Sequence, residues 1–171
     1  MRYSIFLVIG LLFFSCGRKQ EKPQENIVWT KDNSTELNRN LAKEEELQIR
    51  LYLAHHTELT MTKTGTGLRY FIAENGTGPK AEVGKIAQVI LTVKLMNGQV
   101  CYQTKKDKTD EFEVDRSQIE TGIQEAIKLM RVGGKAKLII PLHLAHGLTG
   151  DQDKIPPMST LLVDLELKGL K

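Results

Sequence analysis

Cysteine is nearly absent: Cys16 and Cys101 are the only two among 171 residues, and they form no CxxC motif. A disulfide-stapled scaffold is therefore excluded. An excess of charge of one sign is lacking too. The 24 Lys and Arg against 21 Asp and Glu leave +3, which becomes +2 without residues 1–15, where Arg2 is the one charge. Nothing in that balance demands a nucleic-acid partner. A spanning helix needs about 20 apolar residues, and the run at residues 5–14 has ten. Phosphate loops are missing as well, because Gly65-Thr66-Gly67 and Gly76-Thr77-Gly78 lead into extended chain or a Pro-Lys turn rather than a helix N-terminus. His143 and His146 form an HxxH pair without a carboxylate or cysteine at matching spacing, so no metal and no cofactor is expected.

The N-terminus carries a different signal. Arg2, the apolar run and then Ser15-Cys16 before the polar stretch GRKQEKPQEN have the layout of an export signal over residues 1–15. A small residue before Cys16 resembles the bacterial lipobox, in which that cysteine becomes the acylated N-terminus; the other reading is a plain secretory peptide with an incidental cysteine. Residues 16–32, rich in Gln, Lys, Glu and Asn, read as a flexible lipidated tether. Acylation of Cys16 leaves Cys101 without a partner, as a small apolar packing group.

Asn33 followed by Glu36 fits a capping box, and no Pro or Gly intervenes before Gly65, which predicts a helix over 33–60. Leu37, Leu41, Leu47, Leu51 and Tyr52 give it a partial apolar stripe for its own domain or for a second copy. Glu44, Glu45, Glu46 and Arg50 are assigned to its solvated face, and His55 and His56 to solvent. Alternation predicts a strand over 68–73, then one with Val89, Leu91, Val93 and Leu95 on a single face. Asn97-Gly98 predicts a type I′ hairpin turn into residues 100–104. The run KKDKTDE is expected as a solvated loop before a short strand at Phe112 and Val114. Ile119, Ile123, Ala126, Ile127 and Met130 recur at helical spacing between Ser117 and Met130, ahead of Gly133-Gly134. Two more strands follow, with Leu138 and Ile140 opposed to Lys137, and with Leu161, Val163, Leu165 and Leu167 opposed to Asp164, Glu166 and Lys168. The class is α+β, an antiparallel sheet with one apolar face covered by a single helix.

The stretches GTGPKAEVGKIAQVILTVKLMNGQ, SQIETGIQEAIKLMRVGGKAKLIIPLHLAHG and KIPPMSTLLVDLEL, in this order, resemble the FKBP-type peptidyl-prolyl cis-trans isomerases over residues 66–171. The lipobox, the preceding helix and SQIETGIQEAIKLM look closest to the gliding-motility-associated FKBP-type lipoproteins of bacteria. The resemblance implies a twisted antiparallel sheet wrapped around one short helix. It also implies an apolar pocket in which a peptide bond before proline twists past its barrier, with no nucleophile, metal or cofactor. The position of the aromatic floor falls on Ile123, and the walls fall on Leu91, Cys101, Phe112, Ile119 and Val163, of which Phe112 alone is aromatic; Ile155, in the scaffold element Ile155-Pro156-Pro157, is counted with the site. The backbone N–H that anchors a substrate carbonyl falls on Glu120. Tyr102 stands where the family places an aspartate, either donating to a peptide carbonyl or covering the sheet edge. His146 stands where the family places a tyrosine, as a pocket hydrogen-bonding group or a surface histidine.

Taken together, these features imply a periplasm-facing envelope lipoprotein of the outer membrane, anchored through lipid. Its partners would be proline-containing segments of exported proteins, and its N-terminal helix could self-associate. The activity implied is X-Pro isomerisation, weakened by the missing rings. The alternative is a degenerate domain retained as a chaperone or binding module in an envelope assembly.

Overall fold

The computed structural model describes residues 30–171; the export signal, Cys16 and most of the tether lie outside the described residues. The chain enters through α1 (Lys31–His55), crosses β1 (Thr62–Lys63), β2 (Arg69–Glu74), β3 (Ile86–Leu95), β4 (Val100–Gln103) and β5 (Asp110–Glu113), and reaches the short helix α2 (Thr121–Ile127). It ends with β6 (Lys135–Ile140) and β7 (Leu161–Leu170). The strands form one sheet in the order β1-β2-β6-β7-β3-β4, with β5 beside β4 on the same edge of β3. Every pairing is antiparallel. Between the two short partners of β3, Thr104 closes the gap: its N–H donates to Leu91 O at 3.0 Å and its Oγ1 accepts the Leu91 N–H at 2.9 Å.

The predicted alternation sets the two faces. Leu91, Val93, Leu138, Ile140, Val163 and Leu165 join Ile123, Ala126 and Ile127 of α2 in one buried cluster, all 9% exposed or less. Each such side chain contributes about 1.5–3 kcal/mol by leaving water. Ile139, between Leu138 and Ile140, points to the other face and is also 0% exposed. It lines a cleft there with Tyr52 and His56. The short helix α2 thus covers the apolar face, as expected, and the preceding helix α1 lies against the opposite face.

Helix α1 differs from its reading in start, end and buried face. Thr30 is the cap, its Oγ1 accepting the Asn33 N–H at 3.2 Å, so Asn33 is the third residue of the helix rather than its cap. The helix stops at His55, and His56 stacks on Tyr52 with centroids 4.0 Å apart. Leu37, Leu47 and Leu51 are 42–57% exposed, whereas Ile49 is 1% exposed. Glu45 and Glu46 flank Ile49 on the docking side, because the outer face of the sheet offers polar groups that only charged or hydrogen-bonding side chains satisfy. The Glu46 carboxylate meets Arg69 Nη2 at 2.7 Å, Lys63 Nζ at 3.0 Å and Arg50 Nε at 3.0 Å.

The hairpin and α2 also differ from expectation. Gly98 has φ of +86°, but Asn97 is not among the residues with positive φ. Gly98 N–H donates to Leu95 O, and the Lys94↔Val100 pairing is shifted, so the connection is a type I turn closed by a glycine bulge rather than type I′. The residues expected to start α2 form a turn instead. Buried Gln124 accepts the Asp115 N–H at 2.8 Å and donates to the carbonyls of Glu113 and Ser117, holding that turn outside the helix. Part of the expected solvated loop is strand, since Asp110 and Glu111 pair with Val89 and Gln88 in β5.

The Arg69 hydrogen bond, assisted by Lys63 and Arg50 and opposed by burial, lowers the Glu46 carboxyl from its ordinary 4.5 to about 2. A depressed carboxyl contributes stability that is complete above 4.5 and lost as pH falls toward about 2. Glu46→Gln is expected to lower unfolding stability by about 1–3 kcal/mol at neutral pH. The difference from wild type should close as pH falls through that window in urea melts; a difference independent of pH would contradict the assignment.

Candidate functional site

The site is built outward from the start of α2. Glu120 is the residue before the helix, at φ −50° and ψ 128°, and its carbonyl accepts the N–H groups of Ile123 at 2.9 Å and Gln124 at 3.1 Å. Its own N–H donates to no acceptor among the described residues. Gly122 brings the helix against the sheet: a Cβ there would lie 2.4 Å from Ile140 Cγ2, too close for any side chain. That approach buries Ile123 completely. Around it the structure gathers Leu91 of β3, Cys101 of β4, Phe112 of β5, Ile155 of the loop between β6 and β7, and Val163 of β7, with Ile119 and Tyr102 packed at the margin.

Six of the seven predicted apolar positions thus belong to the buried core, with Ile119 packed against it, and Glu120 precedes the helix that carries Ile123. The lining is closed, however. Leu91, Cys101, Phe112, Ile123, Ile155 and Val163 range from 0 to 9% exposed, which leaves Ile119 and the backbone at Glu120 as the more open parts. Cys101 donates its thiol toward Lys154 O at 3.5 Å, and burial pushes its pKa up, which makes it a packing group rather than a nucleophile.

Tyr102 stands half-buried on the edge strand β4, with a partner that the sequence reading did not name. Its hydroxyl donates to Asp151 in a short hydrogen bond, and Lys154 Nζ lies 4.8 Å above its ring. Asp151 Oδ1 in turn accepts the N–H groups of Asp153 at 2.9 Å and Ile155 at 2.7 Å. The carboxylate therefore organises the turn that delivers Ile155 to the wall, and β4 holds that turn through Tyr102. Burial works to raise the Asp151 pKa, but the Tyr102 hydroxyl and the two N–H groups outweigh it and hold the carboxyl at about 2. The same hydrogen bond, with burial, pushes the Tyr102 phenol up to about 12.

Opposite Asp151, His146 Nε2 meets Glu120 Oε1 at 3.1 Å. Glu120 uses its side chain to reach across to the loop instead of capping α2. His146 is half-buried and engaged with the anchor residue, so a free surface histidine does not describe it. His143 faces elsewhere, its Nε2 meeting Thr66 O at 2.8 Å, so the HxxH pair does not converge on one point. Among the described residues no group of three or more His, Cys, Asp or Glu side chains is placed to hold a metal.

Three contributors escaped the sequence reading. Gly122 gives no side-chain pattern, because what matters is a missing side chain. Asp151 stands in GDQDK, where its spacing to Asp153 is an Asx-turn signal that the loop assignment left unused. Glu45 looked like part of a solvated acidic run, yet its Oε1 accepts the Leu142 N–H at 2.7 Å and the Thr160 hydroxyl at 2.6 Å.

Comparison with known proteins places these features in context. The family model for FKBP-type peptidyl-prolyl cis-trans isomerases matches residues 78–168. FKBP15-3 of Arabidopsis thaliana is 30% identical over 139 residues, covering 81% of this chain and 96% of that protein. FkpA of Buchnera aphidicola is 32% identical over 132 residues, covering 75% of this chain and 51% of its own length. The crystal structure of FkpA from Escherichia coli superimposes with a TM-score of 0.67 at 28% identity, covering 81% of this chain and 64% of that one. Other curated relatives are much longer, and the chain spans 24% and 28% of the length of two of them.

Proposed function

Since the chain belongs to the FKBP-type peptidyl-prolyl cis-trans isomerases, we propose that it catalyses cis-trans interconversion of X-Pro bonds in exported polypeptides, at a reduced rate. The barrier it must lower is about 18–20 kcal/mol and comes from amide resonance. Twisting the bond makes the amide less polar, so a dry apolar slot favours the twisted form over the planar one. A backbone donor holds the substrate carbonyl while its nitrogen side rotates. The observation that carries this reading is the unengaged Glu120 N–H beside the apolar group of Ile119, Ile123 and Phe112. Ile155 and Val163 complete the wall, and Leu91 and Cys101 back it. No step requires proton transfer, so His146 and Glu120 act by shape and charge at the rim.

The rate is reduced for two reasons. Ile123 offers a proline ring no aromatic face, and ring contacts contribute about 0.5–1.5 kcal/mol each, about twofold to tenfold in rate. The lining side chains are also largely withdrawn from solvent, which leaves a ring little apolar surface to meet. That burial favours a second reading, a binding or chaperone module that leaves X-Pro rates alone. A protease-free assay on an X-Pro tetrapeptide separates them. Wild type is expected to raise the exchange rate, and Phe112→Leu to lower kcat/KM by about twofold to tenfold while remaining folded by circular dichroism; an uncatalysed rate with wild type would overturn the enzymatic reading.

The domain from 66–171 is placed at the cell envelope on the same reading, as a lipoprotein of the gliding-motility-associated kind. Ser15-Cys16 after an export signal and the bacterial relatives support this, and no helix of the described residues is long and apolar enough to cross a membrane. Mass spectrometry of the mature N-terminus should find diacylglyceryl on Cys16, with an unmodified later start as the contrary result. Self-association would run through the exposed ribbon of Leu37, Leu47 and Leu51, opposite Ile49. Leu47→Glu with Leu51→Glu should then halve the mass in sedimentation, whereas a monomeric wild type would remove the idea.

A further inference from the structure

The loop from residue 141 to residue 160 supplies His146 and Ile155 to the slot, and it is fastened from outside the domain. Its first residues form a tight turn around one peptide. Leu142 O accepts the N–H groups of Ala145 at 3.2 Å and Gly147 at 2.8 Å, and the Leu142 N–H donates to Glu45 Oε1 of α1 at 2.7 Å. The last residue of the loop, Thr160, is 5% exposed and donates its hydroxyl to the same oxygen at 2.6 Å. One carboxylate oxygen on α1 therefore holds both feet of the loop, while Tyr102 and Asp151 hold its tip from β4. Both feet lead directly into groups of the slot: the first turn carries His146, which meets Glu120 at 3.1 Å, and Thr160 leads through Leu161 to Val163.

We propose that Glu45 is a positioning residue for isomerisation: by tying Leu142 and Thr160 together, α1 keeps the site loop in the conformation that binds an X-Pro segment. The inference rests on the isomerase reading for its kinetic consequence, though not for its structural one. A loop released at both feet populates the binding-competent form for a smaller fraction of the time. Apparent substrate affinity falls by that fraction, while turnover of the bound complex is unchanged. The effect is therefore a rise in KM with kcat preserved. Ion pairs of the neighbouring Glu46 keep α1 docked without Glu45, so the helix does not have to leave the sheet for the loop to loosen.

The test compares Glu45→Ala with Glu45→Gln in the full chain, because the glutamine keeps an acceptor oxygen in place. Steady-state isomerisation of an X-Pro tetrapeptide and amide hydrogen exchange at Leu142 and Gly147 are read together. Glu45→Ala should raise KM by about tenfold, hold kcat within about twofold and speed exchange at both amides by about tenfold. Glu45→Gln should return all three to within about threefold of wild type. Unchanged KM in Glu45→Ala despite faster exchange would reduce Glu45 to a structural contact, and unchanged exchange would remove the fastening itself. If wild type shows no isomerase activity, the functional reading fails while the exchange arm still decides whether Glu45 holds the loop.

Discussion

Direct contact between α2 and the sheet at Gly122 is the constraint from which the site follows. With no room for a Cβ, the helix backbone at Gly122 lies directly on the Ile140 side chain. Ile123 is driven to full burial and the backbone at Glu120 is brought to the edge of the apolar group. A larger residue at Gly122 would lift the helix, open a void beneath Ile123 and carry the Glu120 N–H away from the walls. The chemistry inferred for this protein has no reactive side chain, so distance between a backbone donor and a dry surface is its whole mechanism.

Around that contact, polar groups do the fastening. Gln124 sets where the helix starts, Tyr102 and Asp151 fix the turn that delivers Ile155, and Glu45 and Glu46 bind α1 to the loop and to the outer face. The positions that depart from the family pattern in the sequence are among these fasteners. Tyr102, in the aspartate's place, recruits an aspartate from the facing loop. His146, in the tyrosine's place, finds a carboxylate at Glu120, where an aliphatic residue would offer none. Each of these two side chains thus has a carboxylate partner.

Strand alternation was legible because burial of one face imposes period two: Val89, Leu91, Val93 and Leu95 in β3 and Leu161, Val163, Leu165 and Leu167 in β7 could be placed inside from residue type alone. The burial of the apolar residues offered for the site was legible for the same reason, whereas their grouping as a site comes from the resemblance. The outer face was not, because α1 docks with two glutamates beside Ile49 and Tyr52, and a glutamate in an ion pair looks like any solvated glutamate in one dimension. The boundaries of α2 were hidden likewise: Ile119 has the right spacing for the helix, but Gln124 takes the preceding turn for itself. Asn97-Gly98 marked the hairpin correctly and its type wrongly, since Gly98 alone needs positive φ.

Binding and twisting of an X-Pro bond by the Glu120 N–H and the apolar slot around Ile123 is tested most directly by exchange spectroscopy of a proline peptide with substoichiometric protein. Cross-peaks between cis and trans resonances should appear at mixing times at which the free peptide shows none. Titration of labelled protein should shift the Glu120 amide and the Ile119 and Ile123 methyl groups. Peptide-induced shifts at those groups without cis-trans cross-peaks, or cross-peaks accompanied by shifts confined to the outer face near Ile139, would contradict it.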